Sequence, residues 1–524
     1  MASEDNSAQI GQRLEYDGYY AVIKFIGEIE ASKGIWYGVE WDDAERGKHS
    51  GNHKGVQYFQ CSIPNSGSFV RPKRVNLGCS FVTALKERYG TVEDTNNDSM
   101  YVTGANNQLT KVEIIGADKI GELQSQLDKL DIVGLREMMI NCAGTDGEIT
   151  SISPNLISVD ISRNLFNSWK AVADITVQLR NLKTLNVSSN RLSLPMDPES
   201  LRSAFQNLTQ LFINDLNVAW DYIDSASVMW PNLKELHVCQ NNITEISNVS
   251  VRNFSRLELL NLEKNQISEW NDILKLSALP RLKSLILNEN RIRKIDMKRD
   301  ENDEEFFSNL TSLSLYRNLI DEWDPVNSLN ELPGLTELRF KFNPVIEQIS
   351  DPRQSLIARL KSIKAVNGSS ISSKERMDAE MTYMKDHAPE FYQSGGHQEV
   401  EEINCTAEFL MRHPRFLELV KEYGPPTDPK FMIINKSLKD RLIRVNIVCP
   451  GRSEIKPVVK KLPGSITVLK LKSLFRRLFN ADITTMKLTY CDRPDCPEIR
   501  MSDNLREMSF YSIENDNTIY VRWK

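Results

Sequence analysis

The chain has 524 residues and a mass of 60.0 kDa, enough for about three or four domains of ordinary size. A formal charge of -6 and a pI near 5.8 argue against a general nucleic-acid binder. No apolar run of about 18 residues offers a membrane span, and no charged start followed by an apolar stretch offers a signal peptide. A soluble, unsecreted protein is expected. The 8 cysteines, at 61, 79, 142, 239, 405, 449, 491 and 496, are scattered. That fits neither a disulfide scaffold nor a zinc site built from two close pairs.

Residues 1–87 are rich in glycine, aromatics and β-branched residues, which predicts a small, strongly bent β-sheet domain. Within it, ERGKHSGNHKGVQYF (Glu45 to Phe59) has the glycines of a phosphate loop and the histidines of a metal site. A phosphate loop needs Ser or Thr after its Lys and a helix beyond, but His49 follows Lys48. His49 and His53 lack a second pair of ligands, so zinc is also disfavoured. Peptide capture remains. Gly47, Gly51 and Gly55 let backbone amides approach a ligand. Trp36, Trp41 and Phe69 can form a slot for an aromatic terminal side chain. Lys48 and Arg71 supply charge for acidic residues and a terminal carboxylate. Each aromatic also suits a plain core, and Trp41 is expected to be at least partly that.

The order AVIKFIG, GIWYGVEW (Gly34 to Trp41), Tyr58-Phe59 and GSFVRP (Gly67 to Pro72) closely resembles the CAP-Gly domain. The resemblance implies binding of C-terminal tails of the Glu-Glu-Tyr/Phe type, above all that of α-tubulin. It adds His49, Ser50 and Gly51 to the candidate tail site. The family's usual loop is GKNDG, and this chain has GKHSG at Gly47 to Gly51. Imidazole in place of the Asn still donates one hydrogen bond when neutral and two when protonated.

After a connecting segment at 88–130, residues 131–400 read as a solenoid with a C-terminal cap. LKTLNVSSNRLS begins at Leu182, and similar segments begin at Leu233, Leu257, Leu282, Leu310 and Leu335. Leu156 and Leu208 open further matches, the latter with its Asn displaced, and Leu135 opens a degenerate one. This is the leucine-rich repeat, L-x-x-L-x-L-x-x-N-x-L. Each turn points two apolar strand residues inward, and its Asn can bond the backbone of the turn leaving the strand. No turn buries its apolar face alone, so about nine stack into one curved core. Function must then come from side chains facing away from it. The early turns are small and polar. The last offer Tyr316, Arg317, Arg339, Lys341 and Phe342, which suit a contact with an acidic partner and also an ordinary solvated face. The polar helical segment after Asn343-Pro344 is expected to cover the edge of the last turn.

Residues 401–440 read as a linker with a short helix, including the proline-rich YGPPTDPK. Residues 441–524 give strand, strand-helix, strand and final strand. Their helix LPGSITVLKLKSLFRRLF carries Lys470, Lys472, Arg476 and Arg477 mostly outside its apolar face. This order resembles a ubiquitin-like β-grasp domain. The absence of a Gly-Gly ending implies a docking module and not a conjugated modifier. The fold class expected overall is multidomain α+β: a small bent sheet, an α/β horseshoe and a β-grasp domain.

These three modules in this order resemble the tubulin-folding cofactor E family. The resemblance implies a cytoplasmic, cytoskeleton-associated chaperone that binds α-tubulin, its tail through the CAP-Gly domain and its body through the repeats. It implies partnership with tubulin cofactors B, C and D and with β-tubulin in assembling and dissociating the heterodimer. No triad, metal cluster or paired-acid motif stands out. No enzyme activity, metal, cofactor, nucleic acid or membrane is expected. The alternative is a microtubule-tip or ubiquitin-pathway adaptor without chaperone activity.

Overall fold

The computed structural model describes residues 8–30, 32–90, 126–297, 306–347, 349–427, 442–452, 454–491, 498–511 and 513–523, with two short strands between 101 and 111. They divide into two compact units, Met1–Tyr383 with Leu410–Arg415 and Met384–Phe409 with Phe416–Lys524.

The first unit opens with a four-stranded antiparallel sheet in the order Arg13–Tyr16, Tyr19–Ile29, Ser32–Trp41, Gly67–Val70. Side chains alternate across its strands. Val39, Trp41 and Val70 therefore join Leu14, Ala21 and Ile23 in one core, with Tyr37 packed against it. Arg13 is buried, and two hydrogen bonds of 3.0 and 2.7 Å pair its guanidinium with Asp42. Burial alone would raise the Asp42 carboxyl, but the bonds and charge of Arg13 outweigh it and hold the group below its ordinary value.

Cys79–Ser80 lies outside this sheet. It pairs in parallel with Ile140–Cys142 of the solenoid, and the helix Phe81–Tyr89 buries Phe81, Val82, Ala84 and Leu85 beside it. The chain from Cys79 onward is thus built into the start of the solenoid, although its composition reads as part of the first domain. In the connecting segment, Tyr101–Thr103 pairs with Leu109–Lys111. Most of 91–125 lies outside the described residues.

The solenoid sheet has 11 strands in sequence order. From Ile132–Gly134 to Ala365–Val366 every neighbouring pair is parallel, with central residue over central residue (Val133 on Val159, Val159 on Leu185). This register corrects one reading. The first turn begins at Leu130, with Val133 and Leu135 as its inward pair, five residues before the degenerate match at Leu135. Met138 occupies the position of the repeat's Asn, which hid the phase.

Each turn leaves its strand through a residue of positive φ just before the Asn, as at Arg163 (53°), Lys264 (56°) and Glu289 (52°). The Asn satisfies the backbone that this exposes. Asn290 donates to the carbonyls of Leu262 (2.9 Å) and Leu287 (3.1 Å) and accepts from Ile267 N (3.1 Å), joining its own turn to the one before. In the Leu208 turn Leu216 takes that position, and its N–H donates to Asn241 of the next turn (2.9 Å).

A hairpin, not a helix, closes the last edge. Ala365–Val366 adds to Glu337–Arg339 and Ser369–Ser370 folds back on it. It pairs the edge groups that a bare strand would expose. The expected helix follows at Ser373–Asp386.

In the second unit, Phe391 of the helix Ala388–Gln393 stacks on Phe416 of the helix Phe416–Tyr423, with ring centroids 5.0 Å apart. The reading of one short helix in 401–440 thus meets two among the described residues, Ala407–Arg412 and Phe416–Tyr423. Residues 428–441 lie outside the described residues. A five-stranded mixed sheet follows, in the order Val458–Pro463, Leu442–Val448, Thr518–Arg522, Lys487–Cys491, Ile499–Arg500. Its central pair is parallel. The helix Val468–Phe479 lays Val468, Leu471 and Phe475 into its core, giving the β-grasp arrangement. Among the described residues no helix is long and apolar enough to cross a membrane.

Candidate functional site

The strand pairing decides which aromatics of the first domain meet. Phe69 lies opposite Gly38 and Tyr37 opposite Val70, so Phe69 stands on the face away from the core. Gly38 is what admits Phe59 and Phe25 beside it. A Cβ at that position would sit 2.4 Å from the ring of Phe59 and 2.9 Å from Cβ of Phe25. Phe69 is then ringed by Phe25 at 6.3 Å, Tyr58 at 5.6 Å, Phe59 at 5.5 Å, His49 at 5.0 Å and His53 at 6.1 Å between centroids. Most of these contacts are edge-to-face, the arrangement the ring quadrupole favours. Phe69, Tyr58, His49 and His53 keep part of their surface in water.

Trp36, two residues before Gly38, shares this face, and Arg71 places its guanidinium 3.7 Å from the Trp36 ring centre. Arg71 also donates to Lys33 O (2.9 Å). Its charge is thus fixed at one rim of the cluster while its side chain stays exposed. Lys48 is exposed on the loop, which its N–H anchors to Gly67 O (2.7 Å).

The loop glycines serve the domain's own backbone. A Cβ at Gly47 would lie 1.9 Å from Asn65 O, and one at Gly51, where φ is 96°, would lie 1.9 Å from Phe59 O. Only Gly55 (φ 85°) has open space beside it. Ser50 Oγ accepts from Asn65 N (2.9 Å). His49 Nδ1 accepts from Gly51 N (3.0 Å), so the neutral ring carries its proton on Nε2. Burial, then the charges of His53 and Lys48, push the His49 pKa down and favour that neutral form.

Trp36, Lys48, His49, Ser50, Gly51, Phe69 and Arg71 therefore fall in one neighbourhood. Trp41 does not join them. It is 4% exposed in the core, edge-on to Tyr16 at 6.1 Å and covered by Arg46 at 4.6 Å. Strand parity explains this, since Trp41 and Phe69 point to opposite faces. Phe25 and Tyr58 complete the cluster: a register shift after Ile23 turns Phe25 away from the core face that Ala21 and Ile23 share, and Tyr58 follows the short strand Val56–Gln57.

At the far end of the solenoid, Tyr316 and Phe342 meet edge-to-face at 5.2 Å, with Arg317 within 5.9 and 5.7 Å of their centres. Phe342 is 51% exposed. Arg317 and Phe342 occupy the positive-φ position before the Asn in successive turns, which places them where the strand ends. Arg339 and Lys341 are exposed, and their carbonyls accept the N–H groups of Leu315 and Arg317. The five expected residues thus share two neighbouring turns. Mid-face, Phe212 and His237 stack at 4.2 Å, a pair adjacent only through the repeat register.

The fold and this aromatic, cation-rimmed surface define a three-module binding protein: CAP-Gly, leucine-rich repeat and ubiquitin-like. The CAP-Gly domain family matches residues 10–75, and leucine-rich repeat families match 231–292 and 267–394. The chain is 37% identical over 518 residues to "Tubulin-specific chaperone E" of Xenopus laevis, covering 98% of both chains. It is 34% identical to "Tubulin-folding cofactor E" of Arabidopsis thaliana, covering 91% of both. The chain belongs to the tubulin-specific chaperone E family. Its end is similar to the solution structure of the C-terminal ubiquitin-like domain of mouse tubulin-specific chaperone e, at 32% identity, covering 17% of this chain and 93% of that one with a TM-score of 0.16.

Proposed function

We propose that this chain is a cytoplasmic tubulin-folding chaperone that holds α-tubulin at two places. The cluster around Phe69 takes the aromatic end of the acidic C-terminal tail, with Arg71 and Lys48 neutralising its carboxylates. The turns carrying Tyr316, Arg317, Arg339, Lys341 and Phe342 take the body. With cofactors B, C and D the chain assembles and dissociates the α/β heterodimer, and no catalysis of its own is involved. The observation that carries this reading is Phe69 opposite Gly38, partly exposed among rings and near the fixed cation of Arg71, in a chain of this family.

A tail alone is a small ligand, and holding it would not separate two subunits. A second contact linked to the first raises the effective affinity without either being tight. Aromatics and arginine, the residue types at the last turns, dominate such contacts. The test mixes the protein with tubulin and follows dissociation by size-exclusion chromatography. Wild type should shift the heterodimer to smaller species and complexes. Arg339→Glu with Lys341→Glu should abolish the shift and leave tail-peptide binding intact. Both residues are exposed, so stability should change by no more than about 0.5 kcal/mol. A double variant that dissociates tubulin at the wild-type rate would move the body contact elsewhere.

A further inference from the structure

The last 84 residues carry charge opposite to the rest of the chain. Between 441 and 524 there are 16 Lys and Arg against 9 Asp and Glu, a surplus of 7, while the whole chain stands at -6 and the preceding residues therefore at -13. Part of this surplus lies on a helix whose first turn adjoins an exposed apolar patch. The helix Val468–Phe479 buries Val468, Leu471 and Phe475 and leaves Leu469, Lys470, Arg476 and Arg477 in water. Its first turn is bonded to the 503–511 loop: Leu469 N donates to Asn504 O (3.0 Å), Val468 N to Arg506 O (2.9 Å) and Lys472 Nζ to Asn504 Oδ1 (2.9 Å).

That junction gathers Leu469, Leu505 and Phe510, which are 45%, 82% and 58% exposed. Single exposed apolar residues are ordinary, but three on adjoining segments of a domain whose core is already closed are not. Arg506 lies 4.3 Å over the Phe510 ring. A shallow pocket opens between Leu505, Arg506, Glu507, Ser509 and Phe510. The acidic groups nearby are engaged: Asp503 with Arg506 (3.5 Å) and Glu507 with Ser509 Oγ (3.2 Å). Lys470, Arg476 and Arg477 make no ion pair among the described residues.

We propose that this patch docks an acidic peptide segment bearing a bulky apolar side chain. Unpaired cations fit the carboxylates, and the exposed apolar groups fit the anchor. An anionic lipid surface would satisfy the charges. The pocket, however, suits a single side chain, which a peptide presents and a headgroup layer does not. The site is independent of the tail-reading cluster of the first domain.

The test uses the full chain and a fluorescent peptide of alternating Glu and Phe, acetylated and amidated so that no terminal carboxylate is offered to the first domain. Anisotropy should show binding that weakens with salt. Affinity should fall by about tenfold or more, roughly 1.4 kcal/mol, for Phe510→Ala and separately for Lys470→Glu. Phe69→Ala should leave it unchanged. All three side chains are at least partly exposed, so folding should survive, which far-ultraviolet circular dichroism checks. Failure of wild type to bind would overturn the proposal, as would equal affinity for the variants. So would sensitivity to Lys470→Glu with none to Phe510→Ala, which means charge attraction alone. Phosphatidylserine vesicles whose binding the two substitutions abolish while the peptide is unaffected would assign the patch to a membrane instead.

Discussion

Asn290 and Gly51 hold similar stations, each in a turn beside a strand, and contribute in opposite ways. Asn290 acts through what its side chain adds: four bonds to backbone groups of two turns. Gly51 acts through what it lacks, since the carbonyl of Phe59 occupies the space a side chain would need. In the solenoid the same solution recurs in most turns, so one lost contact is surrounded by intact copies. In the first domain each close approach occurs once. A defect in the solenoid should therefore cost a local increment, and a defect in the first domain should cost the site.

The sharpest way to break that comparison is Gly51→Ala. The new methyl would meet Phe59 O at 1.9 Å in a backbone of φ 96°, so strain and collision add. We expect a loss of about 3 kcal/mol or more. Binding of a peptide ending in Glu-Glu-Tyr should vanish, while the solenoid keeps its own thermal transition in calorimetry. A variant that melts like wild type and still binds would remove the argument from close approach.

Asn290→Ala tests the other side. It strands the N–H of Ile267 in the interior and leaves the carbonyls of Leu262 and Leu287 to Asn265 and Asn318, a loss of about 1–3 kcal/mol. The loss should appear as a lower solenoid transition with tail binding unchanged. An equal fall in tail affinity would mean that the two regions are not energetically separate.

The same contrast explains what could be read from residues alone. In the solenoid each strand sees only its neighbours, so period, inward pairs and Asn positions were all visible, and the far-end cluster of Tyr316, Arg317 and Phe342 followed from the register. Phase failed only at the first turn, where Met138 replaces the Asn. In the first domain, Trp36, Phe69 and Arg71 were picked out by residue type. Trp41 was grouped with them because residue type does not reveal which face of a strand a side chain takes. Phe25 was passed over because the register shift after Ile23 leaves no mark in residue type, and Tyr58 because it lies outside the strands. The closing hairpin at Ala365–Ser370 was missed because two-residue strands leave no periodic pattern.

Phe69 and Trp41 turn that lesson into a measurement. Phe69→Ala should weaken the tail peptide by about 1–3 kcal/mol by calorimetry, with the fold kept because the ring is half-exposed. Trp41→Phe should lower the melting temperature of the first domain and leave affinity within about twofold. A larger binding loss from Trp41→Phe than from Phe69→Ala would mean that the core face and not the outer one reads the tail.

The smallest effect concerns His49, where the chain departs from its family's usual Asn. Its Nδ1 accepts from Gly51 N, as an Asn side-chain oxygen could, so the substitution preserves the loop only while the ring is neutral. Burial, then the charges of His53 and Lys48, keep its folded pKa below the ordinary histidine value. Between that lowered value and about 6.5 the unfolded chain binds more protons than the folded one. The contribution to stability is therefore present above about pH 6.5 and is lost as pH falls toward the folded pKa. Protonation also puts a hydrogen on Nδ1, turning the acceptor of Gly51 N–H into a second donor. Since the ring is partly in water, the effect should be modest. His49→Asn offers an oxygen to the same N–H and does not titrate. At pH 7 the two proteins should bind the tail peptide within about threefold, because the loop bond is made in both. From pH 7 to pH 5 wild type should lose melting temperature in the first domain, and the Asn variant should lose less. Parallel pH profiles would leave His49 as a purely geometric replacement.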